Sequence, residues 1–200
     1  SKVHKQYLII QDRPVLYYSL KAFEDSAVDE IVLVVGKGEE KFCRKEIVDK
    51  YGISKVKAIV EGGKERYHSV FEGLKQTSDA DYVLIHDGAR PYVSKQSIND
   101  LVECLKTYDA GLLMVPCKDT IKEVKEGIVV KTLKRETLMQ AQTPQVFKSE
   151  DIKVAYQKAK DEGYVATDDS QLFERYIDKD IKAVLGDYSN LKITTQEDLK

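Results

Sequence analysis

Two hundred residues with a net charge of −2, 42% hydrophobic and 33% charged side chains fit one globular domain long enough to bury a core. That balance gives no overall attraction to nucleic acid or an anionic membrane, and no apolar run approaches the roughly 18 residues of a membrane span. The opening SKVHKQYLII has neither the apolar length nor the cleavage site of a signal peptide, and Cys43, Cys104 and Cys117 lack CxxC spacing, so a cytoplasmic chain without a disulfide frame or zinc site is expected.

In chain order, Pro14 stands at the first turn of a helix that places Leu16, Leu20 and Phe23 on one face. Residues 30–36, EIVLVVG, are a β-branched run suited to a strand buried on both faces. EEKFCRKEIVDKYG reads as a helix that stops at Gly52. A second strand, VKAIV, precedes a helix in KERYHSVFEGLKQ that turns Val70, Phe71 and Leu74 inward. A third strand, DYVLIH, runs straight into Asp87. SKQSINDLVECLKTY is a helix capped by Ser94 or Ser97, and AGLLMVP a fourth strand halted by Pro116. DTIKEVKEGIVVKTLKRETL alternates with period two around Glu126-Gly127, the signal of a hairpin. Its outward residues are mostly lysines and it has little to bury, so residues 119–135 form an arm that packs on a second subunit or lies as a surface flap. SEDIKVAYQKAKDEG and TDDSQLFERYI follow as helices, the second capped by Thr167 or Asp168, and IKAVLG and NLKIT as short strands.

Alternating strands and helices in one domain predict an α/β fold: a Rossmann-like, mostly parallel sheet with helices on both faces, plus the protruding β-hairpin arm. Such sheets bind ligands beyond the carboxyl ends of their strands. GKGEE, VEGGKER and HDGARP all fall on that edge. There Asp87 can hold Mg²⁺ or a ribose hydroxyl, or merely cap its loop. Arg90 offers a planar fork for phosphate, or an ion pair to Asp87. Gly62 and Gly63 let the backbone approach a base or phosphate closely, or form a simple tight turn. Ser69 reads a base edge or sits on a helix surface. His86, ending a strand, reads as a neutral hydrogen-bonded core residue before a general base. Tyr17, Tyr18, Tyr82 and Tyr92 read as packing, and Lys5 alone as a solvated lysine.

Seven segments, in order, resemble the 2-C-methyl-D-erythritol 4-phosphate cytidylyltransferase family: KQYL from Lys5, the GG…R…S of residues 62–69, HDGARP, KDTIK, QTPQVF, TDD and GDYSNLKIT. The resemblance spans essentially the whole chain. It implies that the phosphate of methylerythritol phosphate attacks the α-phosphate of CTP, with Mg²⁺ present and pyrophosphate leaving. It further implies a homodimer whose hairpin arm carries Arg135 into the partner's site. By motif, Lys5 matches a lysine that stabilises the reacting phosphates, and Gly63, Lys64 and Ser69 match positions that recognise cytosine. Asp87 matches the acid near ribose, Mg²⁺ and substrate, with Gly88 after it where alanine is usual. Arg90, Thr120 and Lys192 match the acceptor site, and Thr167 lies in the matching TDD segment. Lys64 stands where an acid is often found, His4 where proline is usual and Leu191 where isoleucine is usual. The family's first strand and its Gly-rich loop are expected upstream of KQYL, and the terminal QEDLK resembles a helix just starting. Rival readings are a sister enzyme acting on ribitol 5-phosphate, a catalytically silent nucleotide-binding protein, and an NAD-dependent Rossmann enzyme. Against the last stand the lack of a G-x-G-x-x-G in the sequence and the lack of an acid-ended second strand to hold the ribose pair.

Overall fold

The computed structural model describes residues 5–194 and Asp198, the Lys5 side chain excepted. A short antiparallel pair, β1 (Ile9–Ile10) and β2 (Arg13–Pro14), leads into α1 (Val15–Glu24). Pro14 is the residue before the first helical turn, where its missing N–H costs nothing. Leu16 and Leu20 of α1 are buried against Leu33 and Val35 of β3 (Ile31–Val35). The helix α2 (Glu40–Cys43) continues as a π-helical stretch, Arg44–Asp49, and the turn after it closes at Gly52, whose φ of +64° suits glycine. Then come β4 (Val56–Glu61), α3 (Arg66–Leu74), β5 (Tyr82–Ile85), α4 (Lys95–Cys104) and β6 (Ala110–Pro116). Of the two candidate caps for α4, Ser94 is the one used: its hydroxyl accepts from the Ser97 N–H at 3.0 Å.

The expected hairpin forms as β7 (Lys122–Lys125) and β8 (Ile128–Thr132). Glu126 and Gly127 both take positive φ, 49° and 81°, as a tight two-residue turn requires. Both strands are exposed along their whole length. The chain returns through β9 (Met139–Lys148) to α5 (Ser149–Glu162), α6 (Asp169–Tyr176) and β10 (Lys182–Leu185). Asp168 caps α6, accepting from the Gln171 N–H at 2.9 Å.

The strands sort into a four-stranded sheet in the order β10-β6-β9-β5 and a separate parallel pair, β3-β4. β10 runs parallel to β6, whereas β9 is antiparallel to both its neighbours. This buried strand in QTPQVF is absent from the sequence reading because Pro144 argues against a central strand. The register shows how it is tolerated. Leu112 pairs with Gln145 and Met114 with Ala141, so residues 142–144 bulge around the proline. Residues 190–194, expected as a short strand, run as an irregular segment. The Ile193 N–H instead donates to the Ala89 carbonyl at 2.8 Å, and the Ile193 side chain is buried. The loop after β5, rather than the sheet, is its partner.

Phe147, Ile152, Tyr156, Leu172 and Phe173 form the largest core, between β5, β9 and the helices α5 and α6. A second core joins α1, β3 and α2. Between β3 and β5 lies a cavity of about 810 Å³, walled by Leu16, Leu33, Val35, Val70, Leu84 and His86. Asp87 also lines it.

Candidate active site

The apolar run of β5 ends at Ile85, and the following loop carries His86, Asp87 and Arg90 past the sheet's carboxyl edge. His86 pins that loop. Its Nε2–H donates to the Arg90 carbonyl at 3.3 Å, and its Nδ1 accepts from the Thr143 hydroxyl at 3.0 Å. The same hydroxyl accepts the Asp87 N–H at 3.1 Å. Burial pushes the imidazole down to about 4, so it is neutral with both nitrogens engaged.

The Gly-Gly loop after β4 folds hard against α3. A Cβ on Gly63 would sit 2.2 Å from that of His68, and one on Gly62 would meet Ser69 Oγ at 2.5 Å. The Ser69 hydroxyl accepts the Gly63 N–H at 3.2 Å and ties loop to helix. This close return places Arg66, the first residue of α3, beside Asp87.

Four charged side chains then form a chain. Arg66 Nε donates to Asp87 Oδ1 at 2.8 Å, and its two terminal nitrogens grip both Asp169 oxygens at 3.1 and 2.8 Å. Lys192 Nζ lies 2.8 Å from Asp87 Oδ2. Asp169 is fully buried at the start of α6 and also accepts from the Tyr156 hydroxyl. Burial alone would raise the Asp87 carboxyl; the Arg66 guanidinium and the Lys192 ammonium overcome it and hold the group well below the usual carboxylate range. Asp87 is therefore an anion at any working pH.

Arg90 is not paired with Asp87. Its Nη1 donates to the Asn190 carbonyl at 2.7 Å, and its buried Nε has no hydrogen-bond partner among the described residues. Lys192 thus pairs with Asp87, and Arg90 is tied to Asn190, two residues before Lys192. Lys64 is exposed beside Gly63, and Gly88 lies in the Asp87 loop, where a Cβ would meet Leu16 at 3.3 Å. Thr167 stands just before the Asp168 cap of α6, bonded through its N–H and hydroxyl to the Gln171 side chain. Thr120 and Arg135 stay apart, in the exposed base of the hairpin, where Arg135 Nη1 donates to the Lys118 carbonyl at 2.9 Å. Within the described residues neither has a hydrogen bond or ion pair to the Asp87 cluster. The Lys5 side chain lies outside the described residues. Arg66 and Asp169 carry no signal of their own in the sequence, although they lie inside the GG…R…S and TDD segments.

The arrangement suits polyanion chemistry: one fixed carboxylate, a lysine that can exchange partners, and an arginine with an unused donor. No three His, Cys, Asp or Glu side chains among the described residues converge to hold a metal by themselves. A single carboxylate nevertheless fits Mg²⁺, which is commonly held by one or two carboxylates, waters and substrate phosphates.

A sequence model of the 2-C-methyl-D-erythritol 4-phosphate cytidylyltransferase family matches residues 1–200. The enzyme of that name from Alkaliphilus metalliredigens is 46% identical over 98% of this chain and 82% of its own length. That from Lachnoclostridium phytofermentans is 44% identical over 100% of this chain and 86% of its own. Among solved structures, 4-diphosphocytidyl-2C-methyl-D-erythritol synthase from Anaerococcus prevotii superimposes with a TM-score of 0.90 at 36% identity, covering 98% of this chain and 87% of that one. The Thermus thermophilus cytidylyltransferase gives 0.81 at 29% identity, covering 98% and 90%. With a match along its whole length and the acidic and basic residues of the motifs assembled at one sheet edge, the chain belongs to the 2-C-methyl-D-erythritol 4-phosphate cytidylyltransferase family.

Proposed function

We propose that the Asp87 cleft is where this cytidylyltransferase joins CTP to 2-C-methyl-D-erythritol 4-phosphate. The observation that carries this placement is the convergence of Asp87, Lys192 and Arg90, from two distant parts of the chain, on one carboxyl sheet edge. A phosphate oxygen of the acceptor forms a bond to the α-phosphorus of CTP, the bond from that phosphorus to the bridging oxygen breaks, and pyrophosphate leaves. The acceptor phosphate, with a second pKa of about 6, is largely ionised at neutral pH and needs no general base. Neutral, fully hydrogen-bonded His86 is accordingly not asked to serve as one.

Arg90 and Lys192 bind the acceptor phosphate, with Thr167 assigned beside it; Thr120, which stands apart from this cleft on the hairpin, is assigned to the acceptor by resemblance alone. Gly63, Lys64 and Ser69 meet the cytosine, partly through backbone, and Gly88 follows Asp87 in the loop that approaches the substrate. Asp87 would hold Mg²⁺ together with triphosphate oxygens; the ion supplies charge neutralisation for phosphoryl transfer. Lys5 is assigned to the reacting phosphates by resemblance alone. Arg135 acts on the partner's site in a homodimer formed through the arm, residues 119–135, of an otherwise single nucleotidyltransferase domain. The exposed apolar side chains Val124, Ile128, Val129 and Val130 support an arm that docks on another surface. The first strand and Gly-rich loop implied upstream are supported by the cavity between β3 and β5, whose apolar walls suit an added strand.

Pyrophosphate release from CTP and Mg²⁺ tests the reading, with methylerythritol phosphate and ribitol 5-phosphate as competing acceptors. Release with the first, at least tenfold faster than with the second, is expected. Preference for ribitol 5-phosphate, or no release with either, overturns it.

A further inference from the structure

Arg66 and Asp169 have no part in the chemistry above, yet they are the most tightly held charged pair of the site. A guanidinium is planar, so gripping Asp169 with Nη1 and Nη2 fixes the plane and leaves Nε–H only one direction. That direction is Asp87 Oδ1, 2.8 Å away. Asp169 is itself held from several sides. It is fully buried, begins α6 after the Asp168 cap, and is bonded to Tyr156, which packs face to face with Tyr67 at 5.0 Å. At the other end of the chain Lys192 is 43% exposed and can leave Asp87 Oδ2.

We propose that Asp169 is a positioning residue for cytidylyl transfer: it clamps Arg66, and Arg66 holds Asp87 so that Oδ1 stays committed and only Oδ2 is exchangeable. Oδ2, released from Lys192, would be the oxygen free to hold a cation, and Lys192 would then be free to bind a phosphate. Because Arg66 fixes the carboxylate, that oxygen would be preset in direction. This inference rests on Asp87 being the acid of the site.

The test compares Asp169→Asn, Tyr156→Phe, Asp87→Asn and the Asp87/Asp169 double variant in the full chain. The readouts are kcat, KM for CTP, the half-saturating Mg²⁺ concentration, and the Arg66 Nε–H resonance in ¹⁵N spectra. Asp169→Asn keeps the size but offers Arg66 only one acceptor. Its kcat is expected to fall 10- to 100-fold and its half-saturating Mg²⁺ to rise severalfold, with KM for CTP changed less than threefold. The Arg66 Nε–H signal, protected in the parent, should be lost. Tyr156→Phe, a milder change, should move kcat and Mg²⁺ demand two- to fivefold in the same direction. Because Asp169 acts through Asp87, the double variant should be no slower than Asp87→Asn alone. A folded Asp169→Asn with the parent's kcat, Mg²⁺ dependence and Arg66 signal, beside a disabled Asp87→Asn, overturns this inference alone. Should Asp169→Asn not fold, parental kcat and Mg²⁺ dependence in Tyr156→Phe does the same. Full turnover in Asp87→Asn overturns the assignment of Asp87, and this inference with it.

Discussion

His86 shows how one side chain couples the site loop to stability. Its imidazole bridges the Arg90 carbonyl and the Thr143 hydroxyl, and burial lowers its pKa to about 4. In the unfolded chain the same group titrates near 6.5. Between those values the unfolded state binds the extra proton, so stability falls as pH drops from 6.5 toward 4. Two and a half units correspond to about 3–4 kcal/mol at most, fully present above pH 6.5. Asp87 acts lower, because its depressed carboxyl loses its stabilising charge only below its unfolded value near pH 4. Urea midpoints measured from pH 7 to 4.5 should therefore fall steeply in the parent and much less in His86→Gln. Parallel slopes would show that another group governs the window. The same loop marks where residue types alone were informative. Asp87 and Arg90 stand out because an acid and a guanidinium follow an apolar strand. Arg66 and Asp169 do not stand out: an arginine opening a helix and an acid beside an N-cap look like ordinary surface chemistry until a distance of 103 residues in sequence closes to 2.8 Å.

At the scale of elements, the hairpin is the clearest case of local chemistry setting structure and implying a partner. Glu126-Gly127 turns the chain, and Val124 faces Val129 across the ladder. Ile128 and Val130 point together from the other face, 71% and 55% exposed. An isolated two-stranded ribbon is marginal in water, so these side chains are better explained by an apolar surface that covers them. If the proposed homodimer forms through this arm, replacing Ile128 and Val130 together by serine should weaken it at least tenfold in sedimentation analysis, while the monomer keeps its thermal midpoint. An unchanged dimer dissociation constant would place the interface elsewhere. The arm was legible because its alternation and turn are local. β9 was not, since Pro144 breaks the signal within a strand that is otherwise buried from residue 142 to 147. Its place was decided by the bulge opposite Leu113, a property of two strands rather than one. Residues 190–194 show the converse: they alternate like a strand, but the Ile193 N–H bonds to the loop after β5 and not to a strand.

For the whole molecule, the site is a meeting of the loop after β5 with the segment after β10, and Asn190 is the joint between them. Its buried side-chain amide donates to the Thr143 carbonyl at 2.9 Å and the Gln142 side chain at 3.2 Å, both in the β9 bulge. Its own carbonyl takes the Arg90 guanidinium, and two residues on Lys192 reaches Asp87. The bulge around Pro144, which hid the strand in the sequence, is thus what receives the segment carrying the lysine. Asn190→Ala strands two buried acceptors, a loss of about 1–3 kcal/mol. It should also let Lys192 and Arg90 drift together relative to Asp87, and a displacement near 1 Å can cost about 100-fold in rate. The expected result is a kcat/KM for the acceptor phosphate reduced 10- to 100-fold. Ser94→Ala is the matched control, because losing the α4 cap costs a comparable ~1 kcal/mol at a helix that supplies no residue to the site. If both variants lower the thermal midpoint alike but only Asn190→Ala loses turnover, the joint between the two segments sets the geometry of the site. If both retain turnover, Arg90 and Lys192 are positioned by their substrates and not by the fold.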